Sequence, residues 1–254
     1  MTSKLRLRGS MLISGNIGLL TLTMITAVVI IFSANLSVLL YEMALRNGAW
    51  QFFGEYGDII NLAVASAILL FSFSVYSQIK LGTDRFFLRR AQKKGGTAGD
   101  IFYYFHPLRA VGAIAFCLKM LFLKTFLLLI SLVPCILSFA VLYLLLKSNV
   151  SALVAVCLFA GCVTFLLSGI VFYKNITLSF FLAKYYFIDG SFISFSHLIG
   201  SSQQDMKSRN KSLRRLKMSF FGWFALCFLI FPIGYVWSYY NQTMALAGAT
   251  FMKN

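Results

Sequence analysis

The sequence predicts an all-α fold, a polytopic helical membrane bundle with about six transmembrane helices and cytoplasmic amphipathic elbow helices. Apolar residues make up 59% of the 254 residues, charged residues only 12%, and the mean hydropathy is +0.82. A soluble domain carries about twice this charged fraction. Long stretches without charge recur, with basic residues between them. One soluble core cannot hide this much apolar surface, so part of it must face lipid.

The predicted spans follow from length and hydropathy. A membrane helix needs roughly 20 mainly apolar residues to cross about 30 Å of hydrocarbon. We therefore expect a single integral membrane domain, residues 1–254, with spans at 17–41, 59–81, 125–146, 150–173, 216–231 and 235–252. The first span follows basic residues, as in a signal peptide, but it is too long for an h-region, so we expect it to be retained.

The last two spans are separated by Pro232-Ile233-Gly234, a sequence suited to a tight reversal. The alternative is one longer fifth span with a C-terminal tail on the outer side.

Three further segments are too polar to span. Residues 84–94 read DRFFLRRAQKK, follow an apparent helix break at Gly82 and end at Gly95-Gly96. Their basic residues recur on one face, which is typical of an amphipathic helix at the membrane surface. Residues 101–124 mix apolar and basic residues and predict an oblique or interfacial helix. Residues 191–217 predict a polar cytoplasmic loop.

The charge balance predicts the orientation. The chain has 23 Lys and Arg against 7 Asp and Glu. If both termini lie in the cytoplasm, most basic residues fall on the inner side, as the positive-inside rule requires. We therefore expect a multi-pass protein of a bacterial cell (inner) membrane. The basic residues are scattered over several loops without a nucleic-acid-binding module, so we expect no nucleic-acid partner.

Basic side chains near the membrane are candidate contacts for anionic lipid headgroups. These candidates are Arg85, Arg89, Arg90, Lys93, Lys94, Lys119 and Lys124. Lys119 and Lys124 have two interpretations, with Asp189 and Lys184 next in interest. Either they line a polar path or a headgroup pocket between helices, or they snorkel to the phosphates from an interfacial helix. We favour the second interpretation.

A polar cluster, Asn241, Gln242 and Thr243, lies in the last predicted span, where each side chain needs an interhelical partner. The five cysteines lie inside apolar stretches and are expected to behave as small buried hydrophobes. The sequence contains no defensible catalytic constellation, metal-ligand spacing or Walker-type loop. We therefore expect no enzymatic activity, no cofactor and no metal site.

The C-terminal residues SFFGWFALCFLIFPIGYVWSYYNQT, starting at position 219, resemble a family signature. The residues that match it are Phe221, Gly222, Trp223, Gly234, Trp237, Tyr239, Tyr240 and Thr243. The stretch from Leu81 to Arg89 resembles the family's Gly-containing elbow, and Leu129 to Pro134 resembles its Leu-rich run. The family is an uncharacterised one of bacterial polytopic integral membrane proteins, a domain of unknown function. Here Tyr239 and Cys135 replace a Pro and a Gly of the pattern, and the third span lacks its Trp.

The resemblance implies a six-pass fold and brings no activity or site residues. From the residues we expect a non-enzymatic structural or regulatory membrane component that engages anionic lipid, with a protein partner or homo-oligomer left open. The alternative is a transporter or lipid-handling protein with a path between helix pairs, as broken helices and midplane polar groups would indicate.

Overall fold

The computed structural model describes residues 2–14, part of 25–43, 56–147, 152–190, 194–227 and 233–253. These residues are helical and include no strand. The α-helices are α1 (Thr2–Ser14), α2 (Gly57–Ala91), α3 (Pro107–Lys147), α4 (Ala152–Ser179), α5 (Ala183–Asp189), α6 (Phe195–Met206), α7 (Asn210–Met218), α8 (Phe221–Cys227) and α9 (Ile233–Lys253). A 3₁₀ helix, Ala98–Phe105, lies between α2 and α3. The all-helical class is confirmed.

Helix α2 continues through the break predicted at Gly82 and ends at Ala91. Gly82 is helical, and a Cβ there would collide with the Ile101 carbonyl oxygen of the 3₁₀ helix. Its function is therefore close packing rather than chain reversal. The prediction of a separate surface helix at 84–94 is wrong, because Phe86 and Phe87 are buried core residues.

Helix α3 also replaces two predicted elements. The interfacial helix expected at 101–124 and the span expected at 125–146 form one helix that begins at Pro107. Proline is favoured in the first turn because its missing N–H would have no helical partner there. Pro134 lies inside this helix without ending it. The start of the predicted interfacial helix, residues 101–105, lies in the 3₁₀ helix instead of in α3.

Helices α3 and α4 pack along one another. Gly169 of α4 lies against the Ser131 carbonyl group of α3, where a larger side chain would collide. The predicted span 150–173 corresponds to α4, which extends further, to Ser179. The turn predicted at 147–149 lies mostly outside the described residues.

Three described segments are long and apolar enough to cross a membrane: Ile59–Ala91, Pro107–Leu144 and Val156–Asp189. Their apolar parts expose large side chains, such as Leu62 at 71% and Phe122 at 74%. Such exposure is unfavourable in water and is accounted for by contact with lipid. We conclude that the protein is membrane-embedded. The count of about six spans is not confirmed.

The remaining helices form a packed end of the molecule. Helices α2 and α3, about 52 and 61 Å long at 1.5 Å per residue, exceed the roughly 30 Å hydrocarbon core. The C-terminal part of α2 and the N-terminal part of α3 join a hydrophobic core with α1, α5, α6, α7 and α9. Tyr185, Phe220 and Phe251 are among its fully buried side chains.

The polar loop predicted at 191–217 is largely helical. It contains α6 and α7, and Leu198, Leu213 and Leu216 bury their side chains in the core. The apolar positions therefore recur at helical spacing within a polar segment. The prediction was wrong because the many Lys, Ser and Gln residues obscured this buried stripe.

The predicted span 216–231 is also not continuous, since α7 ends at Met218 and α8 covers only 221–227. The rest of that span, with Pro232, lies outside the described residues. The Phe220 and Tyr240 ring centroids are 5.4 Å apart. Twenty residues of continuous helix would separate them by about 30 Å. Phe220 and Tyr240 are therefore not joined by one straight helix, and α8 and α9 are separate helices.

Helix α9 matches the predicted span 235–252 in its bounds but not in its surroundings. Ala245, Ala247 and Phe251 are buried inside the packed end, and α9 is not among the three long apolar segments. Helix α1 packs beside it, with the Tyr239 hydroxyl donating to the Arg6 carbonyl oxygen over 3.2 Å. The two terminal helices therefore lie at the same end of the molecule.

Much of the first predicted span, 17–41, lies outside the described residues. Of the part that is described, Ile30 and Ile31 pack beside Ile79 of α2. The Tyr41 hydroxyl donates to the Asn61 carbonyl oxygen over 2.7 Å. These contacts run antiparallel to α2.

Candidate functional site: a lysine-lined cavity

Two of the predicted headgroup contacts, Arg85 and Arg89, are engaged within the chain. The Arg89 Nη1 and Arg85 Nε atoms lie 2.8 and 3.3 Å from Oδ1 of Asp100, whose side chain is 4% exposed. The backbone N–H of Thr97 donates to the other carboxylate oxygen over 3.0 Å. Burial alone would raise the pKa of Asp100, but the Thr97 N–H and the Arg89 guanidinium hold it below its ordinary value.

The same cluster organises an aromatic side chain. The Arg85 guanidinium lies 3.4 Å from the centroid of the Tyr103 ring, and that of Arg109 lies 4.1 Å from it. A guanidinium over an aromatic face is attracted by the ring quadrupole. Arg85 and Arg89 therefore fasten the 3₁₀ helix to α2, which sequence reasoning missed because Asp100 is distant from both along the chain.

The other predicted contacts on α2 are divided. The Arg90 guanidinium covers the Phe86 ring at 5.7 Å, and its Nη2 lies 3.4 Å from the Leu12 carbonyl oxygen of α1. Lys93 and Lys94 lie just after the helix and are exposed. These two lysines retain the open position expected of surface headgroup contacts, and their binding of lipid stays a prediction.

Lys119 and Lys124 were interpreted together from the sequence, but in the structure they occupy different surroundings. Lys119 lies on a shallow apolar groove, with its ammonium 5.7 Å from the Phe195 ring centroid. Lys124 lines a cavity of about 350 Å³, which also reaches Asn241. A pocket between helices, the less favoured interpretation of Lys124, is therefore present, while Lys119 lies outside it.

The cavity lies where the apolar parts of α2, α3 and α4 enter the packed end. Four lysines and one aspartate line it: Lys80, Lys124, Lys184, Lys217 and Asp84. They come from α2, α3, α5 and α7. The apolar lining includes Phe73, Phe116, Met120 and Phe181. The cavity therefore combines three net positive charges with apolar walls.

Two of the lysines have partners. The Lys184 ammonium lies 2.6 Å from Oδ1 of Asp84, and the pair links α5 to α2 across the cavity wall. The Lys80 ammonium donates to the Tyr76 hydroxyl over 3.1 Å and covers its ring. The second oxygen of Asp84 is buried and has no hydrogen-bond partner among the described residues.

The other two lysines have no carboxylate partner in the described part of the chain. The Lys217 ammonium lies 5.5 Å from the Phe181 ring centroid. Burial first, and then the charges of Lys184 and Lys124, lower the pKa of Lys217 to about 8. Lys217 lies in α7, outside the three apolar segments. Its lowered pKa reflects burial close to two other lysines.

Sequence reasoning identified only part of this cavity. Lys124 was a leading candidate and Lys184 a secondary one, whereas Lys80 and Lys217 were not among the candidates. Asp84, the first residue of the predicted surface helix 84–94, lies inside α2. One signal was present: Lys80 and Asp84 are four residues apart, so they share one face of α2.

The polar cluster on α9 is buried except for Asn241. Gln242 is fully buried, and its Nε2 lies 3.5 Å from the Phe87 carbonyl oxygen of α2. Thr243 is fully buried against Gly9 of α1. Asn241 instead donates to the Trp237 carbonyl oxygen of its own helix. Gln242 and Thr243 therefore lie at helix interfaces of the packed end rather than in lipid.

Among the described residues, no group of three or more His, Cys, Asp or Glu side chains could hold a metal ion. Neither a protein-family model nor a curated protein sequence matches the chain, and no solved structure matches its fold. The resemblance to an uncharacterised membrane-protein family therefore stays a prediction.

Proposed function

We propose that the protein binds an anionic lipid in the lysine-lined cavity and acts as a membrane component rather than as an enzyme. The observation that carries this proposal is the convergence of Lys80, Lys124, Lys184 and Lys217 on one cavity with a single aspartate. An anion placed among these ammonium groups relieves their mutual repulsion. The apolar walls are compatible with the start of an acyl chain.

The position of the cavity supports a lipid rather than a soluble anion. On α2, Leu70 is 69% exposed, whereas Leu81 is 2% exposed, so the boundary between the lipid-facing part and the packed end lies between them. Lys80 and Asp84 lie at this boundary. Lipid phosphates occupy the same level, between hydrocarbon and water.

The proposed orientation places the packed end in the cytoplasm. Basic residues of α1, α6–α7 and the segment after α2 lie at this end, which agrees with the positive-inside rule. Both termini would then be cytoplasmic, in the inner membrane of a bacterial-type cell, where anionic lipids supply the ligand.

A second candidate function is lipid handling or transport, because the cavity lies between helices rather than on an outer face. The cavity is lined from α2, α3 and α9. A ligand that enters it has left the bulk bilayer. This candidate requires movement of the bound lipid in addition to binding.

The test is a lipid-binding measurement on the full chain in a neutral detergent. Native mass spectrometry would compare phosphatidylglycerol with phosphatidylcholine of identical acyl chains. We expect preferential binding of phosphatidylglycerol, and at least a tenfold loss in the double variant Lys124→Gln/Lys217→Gln. A charge-assisted hydrogen bond contributes about 1.5 to 3 kcal/mol, and about 1.4 kcal/mol corresponds to tenfold.

The matched control is Lys207→Gln/Lys211→Gln, which removes the same charge from exposed positions that are neither in the cavity nor among the predicted headgroup contacts. We expect it to change affinity only slightly. An equal loss in both double variants would show that net charge, rather than the cavity, attracts the lipid. No loss in the cavity variant would contradict the proposed function directly.

A further inference from the structure

Some of the charged side chains around the cavity have partners within the described part of the chain, and others do not. Asp84 neutralises Lys184 across 2.6 Å, and the Tyr76 hydroxyl accepts a hydrogen bond from Lys80. For Lys124 and Lys217 the described part of the chain supplies no carboxylate. Two partly buried ammonium groups therefore lack a counter-charge, and Lys80 has only a neutral partner.

Unpaired ammonium groups are unfavourable when they are withdrawn from water. The lowered pKa of Lys217 reflects this, with burial as the first cause and the nearby Lys184 and Lys124 as the next. A ligand with one negative charge would neutralise one of the two unpaired lysines. A ligand with two negative charges would neutralise both.

We propose that the cavity selects a phosphomonoester headgroup, such as that of phosphatidate, over a phosphodiester headgroup. This inference rests on the proposed function and specifies the ligand class of the same site. A phosphomonoester carries about two negative charges at neutral pH and three acceptor oxygens. A phosphodiester carries one charge and has two free oxygens.

The geometry agrees with three separate acceptors. Lys80, Lys124 and Lys217 come from α2, α3 and α7, so they approach the cavity from different sides. Lysine binds phosphate as a point charge with rotatable donors, whereas arginine binds through a planar fork. Three lysines around a terminal phosphate can each meet one oxygen. A diester would present a bridging, substituted oxygen to one of them.

The cavity size favours a small headgroup. At about 350 Å³ it is near the lower end of ligand pockets, which span roughly 300 to 1,000 Å³. Asp84 lies in the lining and is paired with Lys184, so its charge is directed to that lysine rather than to the ligand. A bare terminal phosphate fits this space better than a phosphate that bears a further headgroup.

The experiment compares phosphatidate, phosphatidylglycerol and phosphatidylcholine with identical acyl chains, each titrated onto the full chain in neutral detergent at pH 7.5. We expect phosphatidate to bind at least about tenfold more tightly than phosphatidylglycerol. In Lys124→Gln/Lys217→Gln this preference should fall to near parity. In Lys207→Gln/Lys211→Gln, whose lysines are exposed and outside the cavity, it should persist. Melting temperatures of both variants establish that they remain folded.

The outcomes separate the two proposals. Equal binding of phosphatidate and phosphatidylglycerol, both lost in the cavity variant, would overturn the phosphomonoester inference and leave the proposed function standing. If the cavity variant binds both lipids as tightly as the wild-type chain does, both proposals are overturned. Competition by sn-glycerol 3-phosphate distinguishes the sources. Weak competition supports a lipid headgroup, and competition as strong as that of phosphatidate assigns the same phosphomonoester site to a soluble ligand.

Discussion

Replacing Asp100 with Asn tests the fastening of the 3₁₀ helix to α2. The substitution keeps the shape of the side chain and removes the charge that Arg85 and Arg89 contact at 3.3 and 2.8 Å. Breaking a buried ion pair from one side costs about 3 to 5 kcal/mol. The Arg89 and Arg85 side chains are 37% and 18% exposed, so both can regain hydration. We therefore expect a loss of about 2 kcal/mol.

In a chain of this size, about 2 kcal/mol corresponds to a melting temperature roughly 4 to 8 °C lower. Thermal unfolding in detergent, followed by far-ultraviolet circular dichroism, measures it. Asp189→Asn is the control, because Asp189 is exposed and an asparagine there can still accept the hydrogen bond from Gln92 Nε2, which lies 3.4 Å from Oδ1. Exposed substitutions change stability by about 0.5 kcal/mol or less. Equal melting temperatures for the two variants would refute the proposed fastening.

The pH dependence gives an independent check on Asp100. Its pKa in the folded protein lies below the ordinary value of 3.8. Its carboxylate therefore stabilises the fold fully above that value, and the contribution is lost as the pH falls through the folded pKa. The stability difference between the wild-type chain and Asp100→Asn should be constant near neutrality and shrink below about pH 4. A difference that does not change with pH would exclude an electrostatic origin.

The remaining predictions concern packing, ligand charge and topology. Gly82→Ala should destabilise the protein by about 1 to 3 kcal/mol through its collision with the 3₁₀ helix. Gly112→Ala, with open space around it, should be neutral or stabilising by up to about 1 kcal/mol in the same melting assay. Phosphatidate binding should weaken above about pH 8, as Lys217 loses its proton. It should also weaken below about pH 6, as the phosphomonoester gains one. If binding does not weaken below about pH 6, the ligand is not a dianionic phosphomonoester. Single cysteines at Ser3 and Asn254, in a background without the five native cysteines, should both resist an impermeant thiol reagent added outside the cell. External labelling at position 254 would contradict the proposed cytoplasmic position of the packed end.

Hydropathy predicted the lipid-facing helices because that signal is local. The apolar parts of α2, α3 and α4 lie within or close to the expected 59–81, 125–146 and 150–173. Their continuations were missed because a membrane helix does not have to end at the membrane. Gly82 shows the reason most clearly. Its low helix propensity predicted a break, but packing against the 3₁₀ helix overrides that weak local preference.

Helix α9 shows a different ambiguity. An apolar helix rich in small residues suits both lipid and the interior of a protein, so composition alone cannot distinguish the two surroundings. Ala245, Ala247 and Ala249 are buried among other helices. The polar neighbours Gln242 and Thr243 were expected to orient helices within lipid, and they instead lie buried where α9 meets α2 and α1. Only the tertiary arrangement separates these possibilities.

The convergence of the cavity lysines could not be predicted from the sequence, because each lysine has an ordinary explanation by itself. Lys80, Lys184 and Lys217 contribute to the positive-inside bias, and a single lysine near a membrane helix, such as Lys124, can snorkel to water. Neither explanation requires the four to meet, and like charges that merely snorkel would lie apart. In the folded chain they converge, and the pKa of Lys217 falls to about 8 because it is buried beside two of them. Asp84 offsets only one of the four charges, so their mutual repulsion disfavours convergence, and the anion proposed above would relieve it. The same lysines can therefore supply both the orientation signal and the ligand site, and it is their clustering rather than their number that distinguishes a site from a bias.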